Sequence, residues 1–256
     1  MKIALFGRGK VGRALHARAV ERGIDATLFA SGEAPTVTDV DLVVTAVPDL
    51  AIAETWARLD PAFDPAIPFV HCAGTMPATT TLPSGRPTGA MHPVVSFARP
   101  HETEVAGRTF TVRGSDAAVQ AASHLTRALG AVPLPIDDAG PAYHAASAIA
   151  ANGAVALVQI AVEILVELGI EARGASVMMA GLLHSVADNV EALGVPAALT
   201  GPIARGDVEV VRMHRDALHG EAREAYDAVS RLILRAAKAR GLGDVAARAI
   251  DELLSR

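Results

Sequence analysis

The chain has 256 residues, 51% of them apolar and only 4% aromatic, so aliphatic side chains must fill its cores. A formal net charge of -5, with 23 basic residues dispersed and no basic stripe interleaved with aromatics, argues against nucleic-acid binding. The single cysteine, Cys72, excludes an internal disulfide framework and a cysteine-rich zinc site, and its apolar neighbours Phe69, Val70 and Ala73 predict a buried, inert thiol.

Residues Ile3 to Phe6 predict a strand at the start of the chain, too short and too soon followed by glycine for a signal peptide. Next comes Gly7-Arg8-Gly9-Lys10-Val11-Gly12, the spacing of a pyrophosphate-binding turn between a strand and a helix. The first glycine of such a turn allows the tight bend, the second lets backbone approach the phosphates, and the third lets helix and strand pack closely. Phosphate then meets the unpaired N–H groups at the helix N-terminus. The following residues predict a helix over 11–22, stopped by Gly23, and a second strand over 26–29. A cofactor with a free ribose 2′-hydroxyl usually meets Asp or Glu at the end of that strand. Here the corresponding residues are Ala30 and Ser31, with Glu33 two further on. With Arg8 and Lys10 in the turn, this pattern favours NADP, and NAD remains open if the loop bends Glu33 back. The candidate cofactor contacts in this region are Gly7, Arg8, Gly9, Lys10, Val11, Gly12 and Ser31.

A third strand is expected over 41–47, ending in Val47-Pro48-Asp49, with two more over 69–72 and 89–92. Edge strands are expected over 108–113 and 131–136, around a helix over 116–129. Strands alternating with helices imply an α/β Rossmann domain with a mostly parallel sheet. After Asp137 to Pro141 the period becomes helical, with helices expected over 142–168, 173–193 and, as the terminal one, 217–239. Gly169 and Gly194 fall where helices should stop. The predicted organisation is a Rossmann domain over 1–138 and an all-α domain over 139–256. The uncharged segment Ala145 to Val162 approaches the length of a membrane span. It carries Ser147, Asn152 and Gln159, however, and meets Glu163 and Glu167 at once, which favours a buried central helix in a soluble, cytoplasmic protein. A small helical domain cannot cover so much apolar surface alone, so a homodimer is expected.

At Ala46-Val47-Pro48-Asp49 the sequence resembles the nicotinamide-side turn of the 6-phosphogluconate dehydrogenase-like superfamily, which includes ketopantoate reductases, pyrroline-5-carboxylate reductases and 3-hydroxyacid dehydrogenases. Gly89-Ala90-Met91-His92-Pro93-Val94-Val95-Ser96-Phe97 and Leu199-Thr200-Gly201-Pro202-Ile203-Ala204-Arg205-Gly206-Asp207, with His214, resemble Rossmann-like proteins that carry a C-terminal DUF2520 domain. The resemblance implies an NAD(P)-dependent oxidoreductase whose Rossmann domain precedes a helical domain, often paired with a second subunit. It also adds Val47, Pro48 and Asp49 to the expected cofactor contacts.

Reduction of a carbonyl or imine needs a group that stabilises or protonates the developing charge. Ketopantoate reductases and 3-hydroxyacid dehydrogenases mostly use a lysine on the first helix of the second domain, one turn before an asparagine. This sequence departs from that pattern, because its only lysines are Lys2, Lys10 and Lys238. Asn152 could match the asparagine, but the residue four before it is Ala148. The expected catalytic residues are therefore His144 as proton donor, Asn152 on the same helix face, and His92 at a strand end. Each has a plain structural alternative, as a capping, packing or turn residue. Ser147, Thr200 and Arg205 are expected to contact substrate, Arg205 through a carboxylate, although Arg205 and Asp207 could equally pair to hold a helix corner. The widely separated histidines predict no metal site. The leading expectation is an NADPH-dependent reductase of a small, ketopantoate-like 2-oxo acid. An imine reductase of the pyrroline-5-carboxylate type and a non-catalytic NADP(H)-binding regulator are the alternatives.

Overall fold

The structure, a computed structural model, describes residues 1–99, 104–137 and 140–255. Seven strands form one sheet: β1 (Lys2–Phe6), β2 (Asp25–Phe29), β3 (Leu42–Thr45), β4 (Phe69–His71), β5 (Thr88–Pro93), β6 (Thr109–Gly114) and β7 (Val132–Pro135). Their order is β2-β1-β3-β4-β5-β6-β7. All neighbours are parallel except β5 and β6. The fold is Rossmann-like, as its order of elements predicts. The sheet's direction of winding reverses between β1 and β3, the place where open α/β sheets leave a crevice for ligands at the strands' carboxyl ends.

Successive side chains of a strand point to opposite faces, and the sequence uses both. Ile3, Leu5, Leu42 and Val44 pack on one face with Leu15 and Ala19 of α1 (Lys10–Glu21) and Ala122 and Leu125 of α3 (Asp116–Ala128). Ala4, Phe6, Val43 and Phe69 pack on the other with Ile52, Trp56 and Leu59 of α2 (Ile52–Leu59). A parallel sheet buried on both faces needs continuous apolar strands, and β3 is buried at all four positions. The edge strand β7 carries Pro133 and Pro135, residues that donate no ladder bond and so blunt an edge.

Six more helices follow: α4 (Gly140–Glu167), α5 (Ala172–Leu193), α6 (Pro202–Arg205), α7 (Val208–Asp216), α8 (Gly220–Ala239) and α9 (Asp244–Leu254). The expected terminal helix over 217–239 is thus followed by another, α9. The chain divides into two compact units, Met1–Ala151 and Asn152–Arg256. The domain boundary expected at 138/139 falls on residues outside those described. The division at 151/152 lies inside α4, because the first turns of α4 bring Tyr143 and His144 against β5 and the segment after β4.

The second unit has its own core of Ile203, Val211, Leu234, Ala237, Ala247, Ile250, Leu253 and Leu254. It encloses a buried ion pair, Arg215 Nε to Asp227 Oδ1 at 2.9 Å. The expectation of a buried central helix is corrected here. Within one chain α4 has no buried residue and α5 has only Ala175. Among the described residues α4 is the one helix long and apolar enough to cross a membrane. Its Leu157, Ile160 and Ile164 face Tyr226 and Val229 of α8 across a cavity, but no residue of α4 is buried.

Candidate functional site

The glycine turn occupies the carboxyl end of β1. Gly7 has φ +120°, and a Cβ there would lie 2.2 Å from the Ala46 carbonyl oxygen beyond β3. A Cβ on Gly12 would lie 1.8 Å from the Gly7 carbonyl oxygen. Both positions therefore require glycine, and together they lock turn, helix and β3 in contact. Gly9 differs. It has open space where a Cβ would be and caps α1 with no side-chain bond to the helix, so the first N–H groups of α1 are open to an anion. The turn therefore fits the pyrophosphate of a dinucleotide.

Lys10 is exposed beside the turn, while Val11 is half-buried and its side chain packs into the core. Arg8 is held on both sides: its carbonyl accepts from Arg13 Nε at 2.8 Å and its Nη2 donates to Glu33 Oε2 at 3.0 Å. Ser31 is exposed, and its carbonyl accepts from Arg58 Nη2 at 2.5 Å. After β3, Val47 packs toward the second core, and the Pro48 carbonyl accepts from Ala51 N–H at 2.8 Å to start the turn at Asp49.

The chemistry-bearing side chains gather two strands further along the same sheet edge. His92 lies near the end of β5, and its Nδ1 is 2.7 Å from the hydroxyl of Tyr143. That hydroxyl is also 2.9 Å from Thr111 Oγ1 on β6, the residue directly opposite His92 in the antiparallel pair. The rings of His92 and His144 are 5.6 Å apart and nearly perpendicular. Both approach Gly74, where a Cβ would lie 2.6 Å from His144 Nδ1 and 3.0 Å from His92 Nε2. Arg113 of β6 is buried and donates through Nη2 to the carbonyls of Gly74 at 3.1 Å and Met76 at 3.0 Å, fixing this segment. Burial, with the charges of His144, Arg113 and His71 adding to it, pushes the His92 pKa down to about 4. His92 is therefore neutral at pH 7, and the hydroxyls of Tyr143 and Thr111 let it hold its proton on either nitrogen.

Of the residues expected from sequence, His92 and His144 come together here. Tyr143, which the sequence offers beside His144 at the same helix start, joins them, and so do Thr111, Arg113 and Gly74 without having been singled out. Their pairing depends on the β5–β6 register, which no local pattern announces. Ser147 is one turn after Tyr143, and its Oγ donates to the Tyr143 carbonyl at 3.4 Å. His71 serves the fold: Nδ1 accepts from Ala73 N–H at 3.2 Å, so its proton is on Nε2 facing the Pro77 carbonyl at 3.0 Å. Burial pushes the Cys72 thiol up to about 12, which makes it inert at neutral pH. No group of three or more metal-ligating side chains occurs among the described residues.

Asn152, Thr200 and Arg205 belong to the second unit, and all three are exposed. Thr200 and Arg205 border a cavity of about 510 Å³ with Arg240 and Gly243. Arg205 Nη2 pairs with Asp207 Oδ2 at 2.9 Å, which is the corner-holding alternative to a substrate clamp. His214 Nδ1 lies 3.3 Å from the Tyr226 hydroxyl.

Residues 108–233 match the family described as Domain of unknown function (DUF2520). This is a Rossmann-like protein with a DUF2520 domain. The matched DUF2520 region runs from β6 into α8, so it contains Thr111, Arg113, Tyr143 and His144. No curated protein sequence matches the chain. Among solved structures, protein TM1727 of Thermotoga maritima is similar at 23% identity, covering 93% of this chain and 99% of its own, with a TM-score of 0.70. A proposed NADP oxidoreductase of Bacteroides fragilis, BF3122, is 20% identical over 91% of this chain and 97% of its own, also at 0.70. A pyrroline-5-carboxylate reductase of Coxiella burnetii is 13% identical over 98% of each chain, at 0.57. At these identities the likeness is one of fold.

Proposed function

We propose that this DUF2520 protein is a nicotinamide-dependent reductase of a small carbonyl compound, with a 2-oxo acid as the first reading. The carrying observation is that one sheet edge holds both the glycine turn, after β1, and the His92–Tyr143–His144 cluster, after β5. Gly7, Gly9 and Gly12, with the first N–H groups of α1, would hold the pyrophosphate. A reduced nicotinamide, when bound, supplies the hydride that such a reduction needs. His144 is exposed, so it can give a proton to the carbonyl oxygen and regain it from water. His92, kept neutral and tied to Tyr143, orients the substrate as a hydrogen-bonding partner and not as a cation. The carbonyl carbon gains the hydride and its oxygen the proton, and the product is a 2-hydroxy acid.

A cyclic imine is the second reading, favoured by two observations: His92 is neutral, and Arg205 is already engaged by Asp207. A protonated imine brings its own proton and sits well against the neutral His92 imidazole. Turnover against a panel of 2-oxo acids and cyclic imines, followed by oxidation of NADH and NADPH, tests both. The reading expects one class to be reduced and His144→Ala to lower kcat by about 10²-fold or more for a ketone. Tight nucleotide binding without turnover of either class would favour a regulatory nucleotide-binding protein instead. Full activity of His144→Ala on the true substrate would remove His144 as the donor.

The proposal includes a second copy of the chain as partner. Ile149 and Val155 of α4 are 76% and 70% exposed, and Val177 and Leu182 of α5 are 66% and 58% exposed. Two long helices with apolar faces and almost no buried residue need a partner. The many alanines of α4 allow another helix to approach closely, and Glu163 and Glu167 oppose placing it in lipid.

A further inference from the structure

At the end of β2 the chain bends back on itself. Gly7 N–H donates to the Phe29 carbonyl at 2.9 Å, so the glycine turn and Ala30 stand level across the β1–β2 pair. Glu33 N–H donates to the Ala30 carbonyl at 3.1 Å, closing a tight turn over 30–33. The Glu33 side chain then folds over that turn. Its Oε2 accepts from Ala30 N–H at 2.8 Å and from Arg8 Nη2 at 3.0 Å. Arg58, at the end of α2, holds the loop from outside by donating to the carbonyls of Ser31 at 2.5 Å and Glu33 at 3.1 Å. A carboxylate that the linear register lacks at the end of β2 is thus restored by the fold, three residues late. Glu33 Oε1 makes no hydrogen bond among the described residues and remains free to accept one.

We infer that the Glu33–Arg8 pair decides which dinucleotide the glycine turn takes, and that it selects NADH over NADPH. The inference rests on reading the turn as a dinucleotide site. A ribose with free hydroxyls donates to the open oxygen of Glu33 and leaves the ion pair intact, with Arg8 neutralising the carboxylate. A ribose 2′-phosphate brings two negative charges against Glu33. It must detach the carboxylate from both Arg8 and Ala30 N–H before Arg8 can turn to the phosphate. Both side chains are about half exposed, so the pair can open, but opening is a cost that only the phosphorylated cofactor bears. This reverses the preference that Ala30, Ser31, Arg8 and Lys10 suggest in linear sequence.

The test is direct binding. NADH and NADPH are titrated into the intact protein and into Glu33→Gln, with nicotinamide fluorescence reporting Kd and thermal melting checking that each variant folds. The wild type is expected to bind NADH about tenfold or more tighter than NADPH, about 1.4 kcal/mol. Glu33→Gln is expected to erase most of that ratio, mainly by tightening NADPH. A wild type that prefers NADPH, or a ratio that Glu33→Gln leaves unchanged, overturns the assignment while leaving the dinucleotide site standing. Binding of neither nucleotide to the wild type overturns the reading of the turn itself, and this inference with it. If Glu33→Gln fails to fold, Glu33→Ser decides: the inference expects the preference for NADH over NADPH to fall about tenfold, and an unchanged ratio contradicts it.

Discussion

The space above Gly74 is filled by two imidazoles, with His144 Nδ1 2.6 Å and His92 Nε2 3.0 Å from where a Cβ would be. A methyl group there must push the exposed His144 ring away, since His92 is tethered to Tyr143. Gly74→Ala is therefore expected to lower kcat about tenfold or more while leaving nucleotide Kd unchanged, a split visible in parallel kinetic and binding titrations. His92 has its own signature. Its folded pKa of about 4 lies below the ordinary 6.5, so as pH falls the unfolded chain takes up the proton first. Stability should decline from pH 6.5 to 4 through this group and level off below 4. His92→Asn, which keeps a partner for Tyr143, should flatten that limb in urea melts taken across the range. At this scale the sequence was a partial guide. His92 and His144 stood out as polar residues at a strand end and a helix start. Arg113 and Thr111 looked like ordinary edge-strand residues, because their roles depend on crossing from β5 to β6.

Arg86 illustrates what the elements themselves require. Its guanidinium is buried, bonded to Asp60 Oδ1 at 2.5 Å, and donates to the carbonyls of Asp60, Phe63, Asp64 and Ile67. It thereby ties the segment after α2 to the start of β5. Removing it leaves a buried carboxylate that keeps only Ser84 as partner. Arg86→Met is expected to cost about 3–5 kcal/mol in chemical denaturation, with the glycine turn still able to bind nucleotide in the folded fraction. The strands were legible because β-branched runs alternate with glycine-rich turns. The helix α9 was not, although Ala247, Ile250, Leu253 and Leu254 give it a clear apolar face. The helix expected over 217–239 is not the terminal one, and Gly241, Leu242 and Gly243 turn the chain from α8 into α9. In sequence the 30–33 bend is legible only as the alternative that keeps NAD open, because a cofactor carboxylate is sought at a fixed offset and here a turn supplies it late.

At the scale of the whole molecule, exposed large apolar side chains among the described residues concentrate on α4 and α5. If a second copy covers them, the protein sediments as a dimer without detergent. Leu182→Glu combined with Val186→Glu should then shift it to monomer, with the first unit's fold retained. A monomeric wild type, or one soluble only in detergent, would contradict that pairing. The sequence predicted that the segment Ala145 to Val162 is more apolar than a small helical domain can cover alone. It could not show that the chain's own helices bury no residue of α4 and only Ala175 of α5, since that depends on how α6 to α9 pack around a separate core.

The account rests on the glycine turn as a dinucleotide site, and Gly9 offers its most direct test. A side chain there meets open space, and aspartate is a favourable residue at a helix N-cap, so Gly9→Asp should fold as well as the wild type. Its carboxylate would nonetheless stand where the pyrophosphate must sit. Calorimetric titration with NADH is predicted to give one saturable site per chain in the wild type and a loss of affinity of about 10²-fold or more in Gly9→Asp. Undiminished NADH binding by a folded Gly9→Asp protein, or no binding by the wild type, would contradict it.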